Sequence, residues 1–385
     1  MWQTPLMSLA FACSALPALL GAVNLRRYRV MDASGDPDGV RPTVTVCIPA
    51  RNESANIEAC VRCALASTGV EVEVIVHDDA STDETPVILS ALCEEDSRVR
   101  VVERQPLPHG WNGKQWGCQR MGLVATGDWL LFTDADVRLA PSALRSAWIA
   151  ARTGGSALVS TVPRQETESW MEDAIIPLIH FVLLCYLPFG QMRSTLRPAA
   201  SAGCGQFLFV ERTAWRAAGG HETFRASMHD GIKLPRAVRR VGLRTDLFDG
   251  TPVVSCRMYQ GAVAVWRGFA KNAFEGLGSF GLLIFVTIVH ALGQLLPAVW
   301  IVWALFTARP WGAPEWLASA ALTISIGLRL AFMLRFRQSL RSVLLHPVGI
   351  GLLTLIQWHS AWLHITGRRS WKGRTSGGAP APAVG

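Results

Sequence analysis

Two short acidic clusters stand out for the chemistry they could do together. Val74-Ile75-Val76-His77-Asp78-Asp79 ends one apolar run, and Phe132-Thr133-Asp134-Ala135-Asp136 directly follows another, Trp129 to Phe132. Carboxylates at the carboxyl ends of two strands can divide a task. One cluster accepts hydrogen bonds from the base and ribose of a nucleotide, and the other holds a divalent cation, Mg2+ or Mn2+, against a diphosphate. Alternation in an extended segment would put the side chains of Asp134 and Asp136 on the same side. Lys114 follows a glycine and opens a helix, where it would meet a diphosphate at the helix N-terminus. The competing readings are plainer: Asp78 and Asp79 cap the next helix, Asp134 and Asp136 belong to a solvated turn, and Lys114 is a surface lysine.

The elements that must position these residues alternate between strand and helix. Thr43 to Ile48 is a β-branched run closed by Pro49, and Asn52-Glu53-Ser54 opens a helix through Leu65. Val70 to Val76 is a second strand, with a helix from Thr85 to Cys93 behind it. Val99 to Val102 and Trp129 to Phe132 are further strands, separated by a helix from Lys114 to Ala125. This order predicts an α/β fold with a largely parallel sheet and ligands at the strands' carboxyl ends. Cys60-Val61-Arg62-Cys63 falls in a helix with no second pair, which favours core packing over zinc or redox work.

Four motifs in order carry a resemblance. Thr45-Val46-Cys47-Ile48-Pro49-Ala50-Arg51-Asn52-Glu53, Asp78-Asp79-Ala80-Ser81-Thr82-Asp83, Gly113-Lys114 and Asp134-Ala135-Asp136 resemble the signature of family 2 glycosyltransferases over roughly residues 41 to 260. The start of the chain and Trp371-Lys372-Gly373-Arg374 further resemble the membrane-bound branch associated with hopanoid and carotenoid glycosylation. The resemblance implies a GT-A, Rossmann-like nucleotide-diphospho-sugar transferase domain. It implies that Asp79 accepts from the nucleobase, that Glu53 lies near the ribose, and that Pro49 belongs to the same donor-binding strand end. Asp136 would then ligate the cation, with Asp134 contacting the sugar or a metal-bound water. An ordinary first-turn glutamate remains the alternative for Glu53.

The same resemblance implies an inverting reaction with an aspartate as base, and the matching stretch is Met228-His229-Asp230-Gly231-Ile232-Lys233-Leu234. Asp230 takes the base's place, while His229 stands where the family usually has glutamate. His229 would hydrogen-bond the acceptor or Asp230, or is simply a surface histidine. Gly203 and Gly205, in Ser201-Ala202-Gly203-Cys204-Gly205-Gln206-Phe207, resemble an acceptor loop, with a turn before the strand Phe207 to Val210 as the alternative. The Gln-x-x-Arg-Trp motif of processive members is missing from Gln260 to Arg267, which favours transfer of a single sugar. Trp266 and Arg267 then begin a basic aromatic stretch suited to a bilayer interface, presenting a lipid or isoprenoid-like acceptor or only anchoring the domain.

Composition sets the surroundings. Half of the 385 residues are hydrophobic and the formal charge is +8, and the mean hydropathy is positive. Leu6 to Val23 is an apolar run followed by Arg26, Arg27 and Arg29, the charge order of an uncleaved anchor with its following residues in the cytoplasm. Phe280 to Phe306, Trp316 to Leu334 and Val343 to Ile365 are later candidates. The basic segments Arg335–Arg341 and Gly367–Arg374 both ask for the cytoplasmic side, so one late segment must kink, re-enter or lie in the interface, with Pro297 and Pro347 as break points. The basic charge reads as topology and attraction to membrane lipids, with no nucleic-acid motif beside it.

The expected organisation is an anchor over residues 1–30 and a cytosolic GT-A domain over 41–260, with an interfacial segment at 174–190. An interfacial linker at 261–279, membrane segments over 280–366 and a basic, then disordered tail at 367–385 follow. The whole would be a multi-pass inner (plasma) membrane protein. The alternative from another class is a non-catalytic membrane-anchored protein that binds a nucleotide sugar or a partner.

Overall fold

The computed structural model describes residues 2–32, 39–308, 310–371 and 374–375. Lys372, Gly373 and the tail expected to be disordered, from Ser376 onward, lie outside the described residues. Contacts divide the chain into two compact units. One holds the sheet (Tyr28–Arg164, Gly190–Met258 and the C-terminal stretch), and the other holds Met1–Arg27, Gln165–Phe189 and Tyr259–Gly367.

Seven strands form the main sheet: β1 (Thr43–Ala50), β2 (Glu71–Asp78), β3 (Val99–Val101), β4 (Trp129–Phe132), β6 (Leu158–Val162), β8 (Leu208–Glu211) and β9 (Thr245–Asp249). The short strands β5 (Val137–Leu139), β7 (Arg164–Gln165) and β10 (Val254–Cys256) form a second sheet. The main order is β3-β2-β1-β4-β8-β6-β9. β1 lies between β2 and β4, parallel to both, and is buried on both faces, which suits its unbroken β-branched and apolar run. The sheet is largely parallel, as expected, with one reversed strand: β8 runs antiparallel to both β4 and β6. That reversal matters for the site, since it brings the start of β8 to the edge where β1, β2 and β4 end.

Register follows from small contacts at the opposite edge. The Thr45 hydroxyl accepts from the Gly127 amide at 2.9 Å, and Glu73 accepts from the Thr126 amide at 2.7 Å. A Cβ at Gly127 would stand 2.6 Å from the Thr45 nitrogen, so only glycine lets the chain enter β4 beside β1. With that entry fixed, Phe132 pairs with Cys47, and Thr133 and the aspartates follow at the sheet's edge.

The helix expected from Asn52 begins at Ile57 instead. Asn52 is in the left-handed region at φ 51°, which turns the chain, and the Glu53 carbonyl accepts from the amides of Asn56 and Ile57. The next helices, Thr85–Glu95 and Gly113–Val124, lie close to the expected spans. Cys60 packs in the core, and all nine cysteines are free thiols.

In the second unit, Gln3–Arg27, Phe280–Phe306 and Ala313–Phe336 are long and apolar enough to cross a membrane. Small residues let the helices approach: the Ser14 hydroxyl donates to the Gly293 carbonyl, and a Cβ at Gly293 would meet the Cys13 backbone at 2.6 Å. A π-helical turn at Ala291–Leu295 precedes Pro297, one of the two expected break points. Residues 174–190 do not form one helix. Pro177 and Pro188 separate Trp170–Ile175, Leu178–Tyr186 and Phe189–Ser194.

Pro347 starts the third late segment, the helix His346–Ile365, rather than breaking it. That helix begins with His346 bonded to Gln294, halfway along Phe280–Phe306. It passes Thr287 through Trp358 at 3.0 Å, and it ends with His364 against Phe274, ahead of the Phe280–Phe306 segment.

Candidate functional site

The sheet delivers the expected carboxylates to one edge, and their neighbours decide what each can do. Asp78 ends β2 and turns back to accept from the Ser81 amide at 3.0 Å, so it serves the turn. Asp79 is buried, and its amide donates to the Ala50 carbonyl at 2.8 Å at the end of β1. The Arg51 guanidinium donates to the carbonyls of Asp79 and Ala80 and stands 3.8 Å from the Asp79 carboxylate. Asp78 thus closes the turn at Ser81, ahead of the Thr85–Glu95 helix, rather than capping that helix, whose Thr85 amide donates to Asp83. Arg51 was quoted in the sequence motif without a role, and it is the residue that fixes this corner, with Ala80 in the left-handed region at φ 54°.

Pro49 pairs with His77 one step before the β1 and β2 ends. Glu53 follows in the turn, its amide donating to the Thr85 hydroxyl at 2.9 Å and its carboxylate accepting from Asn56 at 3.3 Å.

Asp134 and Asp136 sit in a tight turn between β4 and β5, closed by the Val137 amide donating to the Asp134 carbonyl at 3.2 Å. The extended alternation expected from sequence is thus replaced by a turn. Both carboxylates nonetheless remain close enough to repel. Burial first, and then Asp134 and Glu53, push the Asp136 carboxyl up to about 7. Its Oδ1 is enclosed and has no hydrogen-bond partner among the described residues. An enclosed, unpartnered oxygen in a carboxylate cluster is a suitable cation ligand. No group of three or more His, Cys, Asp or Glu among the described residues makes a metal cage. Any cation here would therefore draw the rest of its shell from a bound diphosphate and water, as Mg2+ commonly does.

Lys114 connects this cluster to the second half of the site. Asn112 caps the Gly113–Val124 helix, accepting from the Lys114 amide at 2.9 Å. From there the Lys114 ammonium reaches Asp134 at 2.7 Å and Asp230 at 2.9 Å. Burial works against this charge, but Asp134 and then Asp230 outweigh it and hold the ammonium well above the ordinary lysine value. Lys114 is not a surface side chain.

Asp230 is the first residue of the Asp230–Arg240 helix, where the helix dipole favours a carboxylate. It accepts from the Gly231 amide at 2.8 Å. Burial pushes its carboxyl up, but the Lys114 ammonium prevails and leaves it below the ordinary range. The loop before β8 closes against it. A Cβ at Gly205 would stand 2.2 Å from Asp230 Oδ1, and one at Gly231 would meet the Gly203 carbonyl at 2.7 Å. The loop is a turn, with the Phe207 amide donating to the Cys204 carbonyl at 3.0 Å, and its glycines give Asp230 its space. His229 precedes the helix with its amide donating to the Ser227 hydroxyl at 3.0 Å.

This geometry stands beside one family result. The description "Glycosyl transferase family 2" matches residues 45–214. Residues 45–214 form a family 2 glycosyl transferase domain. The glycosyl transferase fold is GT-A-like, and it is similar to a mannosyltransferase from Pyrobaculum calidifontis solved with GDP-Man and Mn2+. That similarity has a TM-score of 0.56 at 19% identity, covering 92% of this chain and 99% of that one. Two relatives are 4,4'-diaponeurosporenoate glycosyltransferases. The one from Staphylococcus haemolyticus is 24% identical over 72% of this chain and 73% of its own length. The one from Staphylococcus aureus is 27% identical over 74% of this chain and 73% of its own length.

Asp230 lies outside the matched residues of the transferase domain, yet Lys114 ties it to them. Trp266 and Arg267 belong to the helical unit instead. They lie on the Gly261–Ala270 helix, where the Trp266 indole donates to His359 at 2.9 Å and Arg267 is exposed.

Proposed function

We propose that this glycosyltransferase moves one sugar from a nucleotide-diphosphate sugar to a carotenoid-like or other isoprenoid acceptor, with inversion, at the cytoplasmic face of the membrane. The observation that carries the reading is the double ion pair of Lys114, which joins the donor-side Asp134 to the candidate base Asp230. The acceptor class rests on the names of the relatives. The use of a divalent cation rests on the enclosed Asp136 oxygen, and the similarly folded mannosyltransferase was solved with Mn2+.

In this reading Pro49, Glu53 and Asp79 line the nucleoside end of the donor, and Asp79 accepts an N–H from the base. Asp136 holds Mg2+ or Mn2+ and Asp134 contacts the sugar. A bound divalent cation would neutralise the departing diphosphate. Lys114 offers the same diphosphate an ammonium at a helix N-terminus. Asp230, kept ionised by Lys114, accepts the acceptor's proton as its oxygen bonds to the anomeric carbon. The bond from that carbon to the diphosphate oxygen breaks, and nucleoside diphosphate leaves. Gly203 and Gly205 let the acceptor approach Asp230, His229 orients it, and Trp266 and Arg267 engage lipid.

Topology is part of the proposal. Arg26 and Arg27 end the first span on the cytoplasmic side, and among the described residues no candidate span lies between them and residues 165–173. Arg341 pairs with Asp173 at 2.9 Å, which supports a cytoplasmic position for the basic loop after Ala313–Phe336. The helix His346–Ile365 begins at mid-depth and returns to the same side, so the basic residues after it are cytoplasmic too.

The test is release of nucleoside diphosphate by detergent-purified protein. A panel of donor sugars is supplied with extracted isoprenoid lipids, with and without Mn2+ or Mg2+. Metal-dependent release matched to a new glycolipid is expected. Donor binding with no release in any lipid mixture would favour a binding protein and reject the transfer.

A further inference from the structure

The helical unit buries a set of basic and polar side chains for which the proposed sugar transfer has no use. Arg329 lies on the Ala313–Phe336 helix and is fully enclosed. Among the described residues it makes two long hydrogen bonds from a single nitrogen, Nη2, to the Ser342 carbonyl at 3.4 Å and hydroxyl at 3.3 Å. Its Nε and Nη1 have no partner, and no carboxylate among the described residues pairs with it. A guanidinium taken out of water without a counter-charge is among the least stable arrangements a fold can hold, and most of all inside an apolar helical unit.

The groups around it repeat the pattern. Arg329 is the electrostatic neighbour of both His180 and His346, and His290 is a neighbour of His346. All three histidines are buried. Each has one ring nitrogen engaged: Nδ1 of His180 with Gln338 at 3.3 Å, Nδ1 of His290 with Thr354 at 3.2 Å, and Nε2 of His346 with Gln294 at 3.0 Å. Each has its other ring nitrogen enclosed and unpartnered, as is the Tyr186 hydroxyl. The aromatic rings draw the set together. Phe181 lies 4.9 Å from His346 and 6.3 Å from Tyr186, and Tyr186 lies 5.9 Å from His290.

A buried fork of guanidinium donors with no acidic partner, together with the His180 Nε2–H left free by the bond from Gln338 and the Tyr186 hydroxyl, has the donor set that binds an oxyanion. We propose that this cluster is a binding site for a carboxylate or phosphate, with Arg329 as its anchor, inside the helical unit. The apolar helices around it suit the tail of an amphiphile carrying that group, and a small free anion is the other source of the same chemistry. The site stands independently of the sugar transfer, because none of its residues belongs to the carboxylate cluster at the sheet.

The test measures thermal unfolding and direct binding with full-length protein in uncharged detergent, using four probes: palmitate, hexadecyl phosphate, hexadecanol and inorganic phosphate. Palmitate or hexadecyl phosphate should bind at least about tenfold more tightly than hexadecanol, the scale of one charge-assisted hydrogen-bond pair. Arg329→Gln should remove that preference and Arg329→Lys should keep part of it. Stabilisation by inorganic phosphate alone, lost in Arg329→Gln, would support the oxyanion site and make its ligand a free anion. Equal binding of the alcohol and both charged amphiphiles to the wild type, with no effect of phosphate, would overturn the proposal, and this arm needs no variant. Arg329→Met, measured without any probe, should be no less stable than the wild type, since it removes an unpaired buried charge. A clear loss of stability there, together with unchanged preference in Arg329→Gln, would make Arg329 a structural residue and end the proposal.

Discussion

At the scale of residues, the site is a balance of charges in which Lys114 holds the central position. Asp136→Ala and Asp230→Asn should fail differently. The first removes the enclosed oxygen and should weaken donor binding together with its dependence on Mn2+ or Mg2+. The second should leave donor affinity near wild type and lower turnover about a hundredfold or more, the usual scale of losing a general base. Isothermal titration with donor beside single-turnover rates separates the two, and wild-type rates in either variant would remove that residue from the mechanism. Lys114 also makes a prediction about pH. Asp230 must be ionised to accept a proton, so transfer is lost as pH falls through its pKa. Lys114 holds that pKa below the ordinary range. In Lys114→Met the largest charge opposing burial is gone, the pKa rises, and the acid limb of the pH–rate profile should move up by about one unit or more, each unit being about 1.4 kcal/mol. A limb that stays in place would show that Lys114 is not the counter-ion of the base.

At the scale of elements, the Gly113–Val124 helix positions the ammonium, and its seat on the sheet is set by a missing side chain. A Cβ at Gly117 would stand 2.8 Å from His77 Nδ1. His77 is buried on β2, and burial pushes its imidazole down to about 4, so it packs as a neutral ring. Gly117→Val should lift the helix from the sheet, costing about 1–3 kcal/mol as overpacked sites do. Because Lys114 lies one turn earlier, donor affinity should fall with stability. Denaturant melts and donor titrations on the same variant check both, and a destabilised protein with wild-type donor affinity would mean that Lys114 is held by its carboxylates alone. The antiparallel β8 is the other decisive element. Its reversal carries Gly203 and Gly205 to the acidic edge, where a parallel strand would have sent its preceding loop to the opposite end.

At the scale of the whole molecule, the two compact units divide the chemistry: acidic residues at a sheet edge in one, apolar helices with buried basic groups in the other. The proposed topology gives an outcome that labelling can read. Single cysteines at Leu340 and Arg368 should react with a membrane-impermeant maleimide only from the cytoplasmic side, and one at Thr307 only from the opposite side. Reaction at Arg368 from the same side as Thr307 would show that the His346–Ile365 helix crosses the membrane.

The sequence by itself determined the strands that end in acidic residues, the helix that opens at Lys114 and the apolar segments near both ends. These are short-range properties: β-branched runs, a glycine before a lysine, and hydrophobic length are written in consecutive residues. It also ordered Asp79, Lys114, Asp136 and Asp230 along one motif series. It did not show that Asp134 and Asp136 occupy a turn, that Arg51 clasps the Asp79 loop, or that the helix after β1 waits until Ile57. Only the tertiary structure joined Lys114 to Asp230, which are 2.9 Å apart in space across more than a hundred residues of chain. It also gathered Arg329 with histidines from three other helices. A pairing between distant residues depends on strand order and helix packing, which the whole chain fixes together, so no local stretch of sequence contains it.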